Sequence, residues 1–220
     1  MSYAIRLAAF MLFAAFAVSA CTMESLVASA KPPLVTQADS FIKSGAPLIE
    51  LWEYAKIHEM IDQGDFDVVV LQEDIPETDV AAFHEYAHKF DVEIKSADAN
   101  PVLFMTSPYD RLGWTTLEEI AHAHRDVVTE LNVDVAPVGL AWQRALEERP
   151  DLDMCDLERE HPSIHGTYVA INVVHAMVFG KSPVSLTYLP VAYNLSEEEG
   201  AFLQRIAWET VQDYQVQAQP

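Results

Sequence analysis

Short apolar strands alternating with amphipathic helices predict an α/β domain, a three-layer α/β/α sandwich around a mainly parallel sheet. Three observations carry this. Asp67-Val68-Val69-Val70-Leu71-Gln72 is a continuous branched run, as expected of a strand covered on both faces. Further apolar runs at 101–106 and 133–138 are separated by helical patterns. The length, 220 residues, suits one such domain with a sizeable core.

The elements follow in order. Residues 22–30 are helix-compatible, and Lys31-Pro32-Pro33 ends them. Residues 34–42 have the branched and apolar character of a strand. Gly45-Ala46-Pro47 is a turn. Residues 48–61 read as one amphipathic helix, with Leu51, Tyr54, Ile57 and Ile61 at helical spacing. After the 67–72 strand, Thr78 can cap a helix running to about residue 96. Its core stripe is Phe83, Ala87, Phe90 and Ile94, which leaves His84, His88, Asp91 and Lys95 on a solvated face. Residues 117–131 form a helix between the last two strands, and 140–148 a helix after them. Ser163 caps an apolar helix that ends at Gly180, with Pro183 beyond. Ser196 opens the last helix, with Glu199 in capping-box position.

Charge narrows the partners. The chain has 13 Lys and Arg against 34 Asp and Glu, a formal net charge of -21. Such a surface repels nucleic acid and anionic lipid, because binding either requires cations on phosphates. Two cysteines, Cys21 and Cys155, exclude a disulfide framework and an all-cysteine zinc site.

The N-terminus reads as an export signal. Arg6 precedes an apolar run at 7–18, too short to span a bilayer, and Val18-Ser19-Ala20-Cys21 has the form of a lipobox. The run holds one β-branched residue, Val18, which favours a leader helix over a strand. The expectation is a signal or lipoprotein segment at 1–21 ahead of one domain at 22–220. It places the protein outside the cytoplasm, touching membrane only through a lipid on Cys21.

Ligands of doubly wound folds bind beyond the carboxyl ends of the strands. The polar residues expected there are Gly45, Gln72, the loop at 106–114, and Glu158-Arg159-Glu160-His161-Pro162-Ser163. Trp114 can wall a pocket or simply pack. His84-Glu85-Tyr86-Ala87-His88 matches the zincin motif, with two His on one helix face, but no third ligand is evident. His122 and His124, two apart, do not face each other on a helix, and His175 reads as a satisfied core histidine.

Glu158, three before His161, followed by Pro162-Ser163 and a helix, resembles the last block of the SGNH/GDSL hydrolases, where an Asp takes the acid position. Val69-Val70-Leu71-Gln72-Glu73 is similar to the block whose amide serves the oxyanion hole. Gly45 before Leu48-Ile49-Glu50-Leu51-Trp52 resembles the block whose glycine N–H is a second donor. Val135-Ala136-Pro137-Val138-Gly139 and His161-Pro162-Ser163-Ile164-His165-Gly166-Thr167-Tyr168 resemble a bacterial subgroup. The resemblance covers about four-fifths of the chain. It implies a flavodoxin-like sheet with the first strand between the second and third. It also implies cofactor-free hydrolysis of small acyl esters, often on carbohydrate. His161 would be general base, Glu158 its orienter, and Gly45 and Gln72 the oxyanion donors.

The first block of that family, Gly-Asp/Asn-Ser, ends the first strand and supplies the nucleophile. Counting back from Met23-Glu24-Ser25-Leu26 puts it near Ala14-Ala15-Phe16, which carry no hydroxyl. Ser19 is the nearest alternative. The sequence therefore predicts a hydrolase scaffold with impaired or absent turnover and a first strand missing or replaced. The alternatives are a binding protein on the same fold and, through His84 and His88, a zinc peptidase.

Overall fold

The computed structural model describes residues 4–11, 20–30, 35–43, 45–75, 79–109, 113, 115–157, 159, 161–189 and 195–217. Its sheet has five parallel strands in the order β2-β1-β3-β4-β5. The strands are β1 (Ala4–Met11), β2 (Val35–Ile42), β3 (Val68–Gln72), β4 (Asn100–Phe104) and β5 (Asp134–Ala136). The helices are α1 (Ala20–Ala28), α2 (Leu48–Leu51), α3 (Ala55–Gln63), α4 (Val80–Ser96), α5 (Leu117–Leu131), α6 (Val138–Glu148), α7 (Ile164–Phe179) and α8 (Glu197–Gln217).

Strand alternation divides the core in two. Leu7, Val70, Val102, Phe104 and Ala136 face one way and pack with α1, α6, α7 and α8. Ala8, Val69, Leu71, Leu103 and Val135 face the other way, against α2, α3, α4 and α5. The period-2 side-chain pattern of the strands produces these two layers, so the three-layer α/β/α expectation holds.

The structure corrects one part of the N-terminal reading. Ala4–Met11, including the start of the apolar run, is an inner strand of the sheet and not helix. It pairs along its whole length with β2, from Ala4↔Val35 to Met11↔Ile42. On the other side it meets β3, from Leu7↔Val68 to Phe10↔Leu71. Without it, both neighbours would expose buried N–H and C=O groups, at about 1–3 kcal/mol for each group left unsatisfied. That cost outweighs the weak strand propensity of an Ala/Phe/Leu segment. Arg6 is part of the strand: its N–H donates to Asp67 at 2.7 Å and its guanidinium meets Asp65 at 2.6 Å. Cleavage ahead of Cys21, which lies in α1, would remove this strand.

Three smaller differences have clear causes. The helix expected over 48–61 is broken at 52–54, giving α2 and α3. The break frees the Trp52 carbonyl for His58 Nε2 at 2.6 Å and sets the Trp52 ring edge-on to Phe90 at 4.9 Å. Thr78 lies outside the described residues; Asp79 caps α4, accepting from Ala81 N–H at 2.7 Å. Asp91, expected in solvent, is buried and pairs with Lys95 at 2.7 Å, one helical turn on. By contrast α5 matches its expected bounds, α7 has Ser163 and left-handed Gly180 as its caps, and α8 has the Ser196–Glu199 box.

Candidate active site

The carboxyl end of β3 gathers several buried polar residues. Gln72 is fully buried, and neither its amide oxygen nor its nitrogen has a hydrogen-bond partner among the described residues. A buried amide without partners costs about 1–3 kcal/mol, so it marks a position kept for something other than packing. Glu73 and Asp74, both buried, follow it. The Glu73 carboxylate accepts the N–H of Leu48 at 3.2 Å and of Asp74 at 2.7 Å. Leu48 begins α2, three residues after Gly45, whose φ of +70° makes the turn. Glu73 therefore fastens the Gly45 loop to the strand end that carries Gln72. Asp74 accepts the Tyr109 hydroxyl at 2.7 Å, which brings in the loop after β4.

His161 is held by a different construction. It is half-buried and sits in a hairpin closed by a bridge between Cys155 and Pro162. Its carbonyl accepts Asp156 N–H at 2.7 Å, and Ser163 N–H donates to the Met154 carbonyl at 2.9 Å. The Ser163 hydroxyl donates to the Asp153 carbonyl and accepts Gly166 N–H at 3.2 Å, capping α7. A Cβ on Gly166 would stand 2.1 Å from the Met154 carbonyl oxygen, so only glycine lets the helix meet the hairpin. Trp142 of α6 donates to the Gly166 carbonyl at 3.1 Å. Tyr168, fully buried, donates to the Tyr188 carbonyl at 2.9 Å and accepts from Gln204 at 2.9 Å. The motif around His161 is thus largely a fastening for the histidine. Its proposed orienter Glu158 lies outside the described residues, as do Glu160, Trp114 and Ser19.

No family model matches the sequence, and no curated protein matches it. Solved structures do. A DUF4886 family protein from Bacteroides uniformis superposes with a TM-score of 0.75, over 96% of this chain and 95% of that one, at 12% identity. A protein described as a putative SGNH hydrolase, from Slackia heliotrinireducens, gives 0.61 over 80% and 99%, at 18% identity. A mutant of Axe2, an acetyl-xylooligosaccharide esterase from Geobacillus, gives 0.62 over 80% and 96%, at 13% identity. The fold is that of the SGNH/GDSL hydrolases.

On the SGNH scaffold the nucleophile block closes the first strand. Here β1 ends at Met11, and the residues that follow, Leu12-Phe13-Ala14-Ala15-Phe16-Ala17-Val18, carry no hydroxyl or thiol before Ser19. Several of the other histidines have partners of their own. His84 Nδ1 lies 3.9 Å from Glu130 and its ring packs on Phe83, while His88 is exposed; the described residues hold no group of three metal-ligating side chains. His122 pairs with Asp126 at 2.9 Å. His124 is buried, with Nδ1 2.9 Å from the Ile120 carbonyl, and desolvation pushes its pKa down to about 4. His175 is buried too and likewise pushed down to about 4 by desolvation, then by Lys181. It is a core histidine, as expected, but neither ring nitrogen has a hydrogen-bond partner among the described residues.

Sequence reasoning assigned no role to Glu73, Asp74 and Tyr109. The available signal was an acidic pair placed directly after a continuously apolar strand.

Proposed function

We propose that this chain is an ester-binding protein on an SGNH hydrolase scaffold whose covalent acyl transfer is lost. The observation that carries this is the register of β1. The strand fills the inner slot, and residues 12–18, which follow its end, carry no hydroxyl or thiol. A strand end that delivers no hydroxyl forms no acyl-enzyme. The carbonyl-binding parts are retained. Gln72 holds an unpartnered buried amide at the strand end, and the Gly45 loop is fastened beside it through Glu73. Those donors suit the oxygen of an ester carbonyl, and the reading calls for no cofactor. The ligand class is a small acyl ester or acylated carbohydrate. Axe2, of the same fold, is an acetyl-xylooligosaccharide esterase, and a chain of net charge -21 disfavours anionic ligands.

Two measurements test this. Purified full-length protein should hydrolyse p-nitrophenyl acetate no faster than its His161→Ala variant. Turnover that disappears in His161→Ala or Ser19→Ala would overturn the proposal and make Ser19 the nucleophile. Calorimetry with an acetylated xylooligosaccharide should show binding that weakens about tenfold in Gln72→Ala, the order expected for one hydrogen bond.

A further inference from the structure

Between the loop after β4, one side of α6 and the segment 152–157 lies a cavity of about 680 Å³. That volume falls within the roughly 300–1,000 Å³ of small-molecule sites. Its floor is built from core residues. Trp142 is 3% exposed and is fixed by its bond to the Gly166 carbonyl; Leu152 and Met154 are also buried. A Cβ on Gly139 would stand 2.4 Å from the Thr106 carbonyl oxygen, so α6 meets the end of β4 backbone to backbone here. The mouth has a different chemistry. Glu147, Asp153 and Asp156 are exposed around it, with Arg159 the one cation among the described lining residues. His161 does not line this cavity.

We propose that the cavity binds a small amphipathic organic cation, an alkyl- or arylammonium. Its apolar body would lie on Trp142, Leu152 and Met154, and its charge would meet Glu147, Asp153 and Asp156. Among the described lining residues three carboxylates face one guanidinium, and the net charge of -21 concentrates cations at the surface while repelling anions. An apolar floor with a carboxylate mouth matches a ligand with one greasy end and one positive end. The site does not depend on the ester-binding reading, since it uses neither Gln72 nor Gly45. It borders the histidine hairpin all the same: Asp156 N–H donates to the His161 carbonyl, and half-buried Cys155 bridges Pro162.

Cys155 supplies a reporter that the rest of the acidic surface cannot mimic. Full-length protein would be titrated by calorimetry with benzyltrimethylammonium, benzyl alcohol and benzenesulfonate. Alkylation of Cys155 by N-ethylmaleimide would be followed in parallel by site-resolved mass spectrometry. The ammonium should bind at least about tenfold more tightly than the sulfonate, from a few partly exposed charge pairs, and should slow alkylation of Cys155. Replacing Glu147→Gln, Asp153→Asn and Asp156→Asn together, all exposed positions, should erase that preference without moving the thermal transition. Equal binding of cation and anion overturns the proposal. So does a cation that leaves Cys155 alkylation unchanged, or a preference that survives the triple variant.

Discussion

The hairpin that carries His161 and the end of β1 are two halves of one expected active site, and they are built to different standards. The hairpin is fastened from every side: Ser163 to Asp153, Gly166 against Met154, Trp142 to Gly166, Tyr168 to Tyr188 and Gln204. The strand end contributes backbone pairing, and residues 12–18 after it carry no hydroxyl or thiol. Architecture and chemistry therefore separate along the sequence. A strand slot accepts any segment that completes the hydrogen-bond ladder, whereas a nucleophile must be one atom type at one place.

The comparison can be broken most severely at β1. Deleting residues 1–20 should abolish cooperative unfolding, because both β2 and β3 lose an inner partner; circular dichroism melts check this. In the full chain, Leu7→Asp buries an unpaired carboxylate in the core and should cost about 3 kcal/mol or more in urea unfolding. If both changes leave a normal transition, β1 is not the strand that completes the sheet.

The two buried histidines bear next on the hairpin's side of the sheet, where α7 carries His175, and on the opposite layer, where α5 carries His124. Each has a folded pKa of about 4 against an ordinary value of 6.5. The unfolded chain thus takes up these protons first. Their neutral forms favour folding above pH 6.5, and that advantage is lost as pH falls from 6.5 towards 4. The loss is about 3 kcal/mol per histidine at the acid limit. Melts at pH 7, 5 and 4 should show it, and His175→Phe should flatten part of the slope.

Smaller effects sharpen the contrast. Gly166→Ala forces a methyl onto the Met154 carbonyl and should cost about 1–3 kcal/mol, with the His161 resonances shifting in NMR spectra. Glu73→Ala removes the acceptor for Leu48 and Asp74 N–H and should cost about 1–3 kcal/mol. The smallest change involves His58. Burial opposes its charge, but the Trp52 carbonyl and Glu93 outweigh it, so its pKa is raised. Protonated His58 favours folding below pH 6.5, and that contribution fades as pH rises through the raised value. His58→Gln should remove this slope from a pH series of melts.

Much of the scaffold was legible because its signals are local. Ser163 and Gly180 bracket α7, and Ser196 with Glu199 starts α8, each by capping chemistry within one turn. The branched run of β3 announces a strand buried on both faces. What escaped reading depends on contacts far apart in sequence. β1 is a strand because of residues 35–42 and 68–71, not because of its own propensity. The break after Leu51 serves Phe90 and His58, and the buried Glu73 and Asp74 are explained by Leu48 and Tyr109. Gln72 was anticipated from its place at a strand end, but its unpartnered amide became visible only once the sheet was assembled.

Among the five strands, the inner one is also the first to be synthesised. Its partner in β3 is added more than sixty residues later, which at about 5–20 residues per second is a delay of about 3–13 s. Until β3 arrives, one edge of this apolar strand has no partner, and until β2 arrives neither edge has one. Anything in the cell that captures apolar nascent tails is then in a race with the sheet for the same residues. The yield of folded protein should therefore respond to elongation speed as well as to stability.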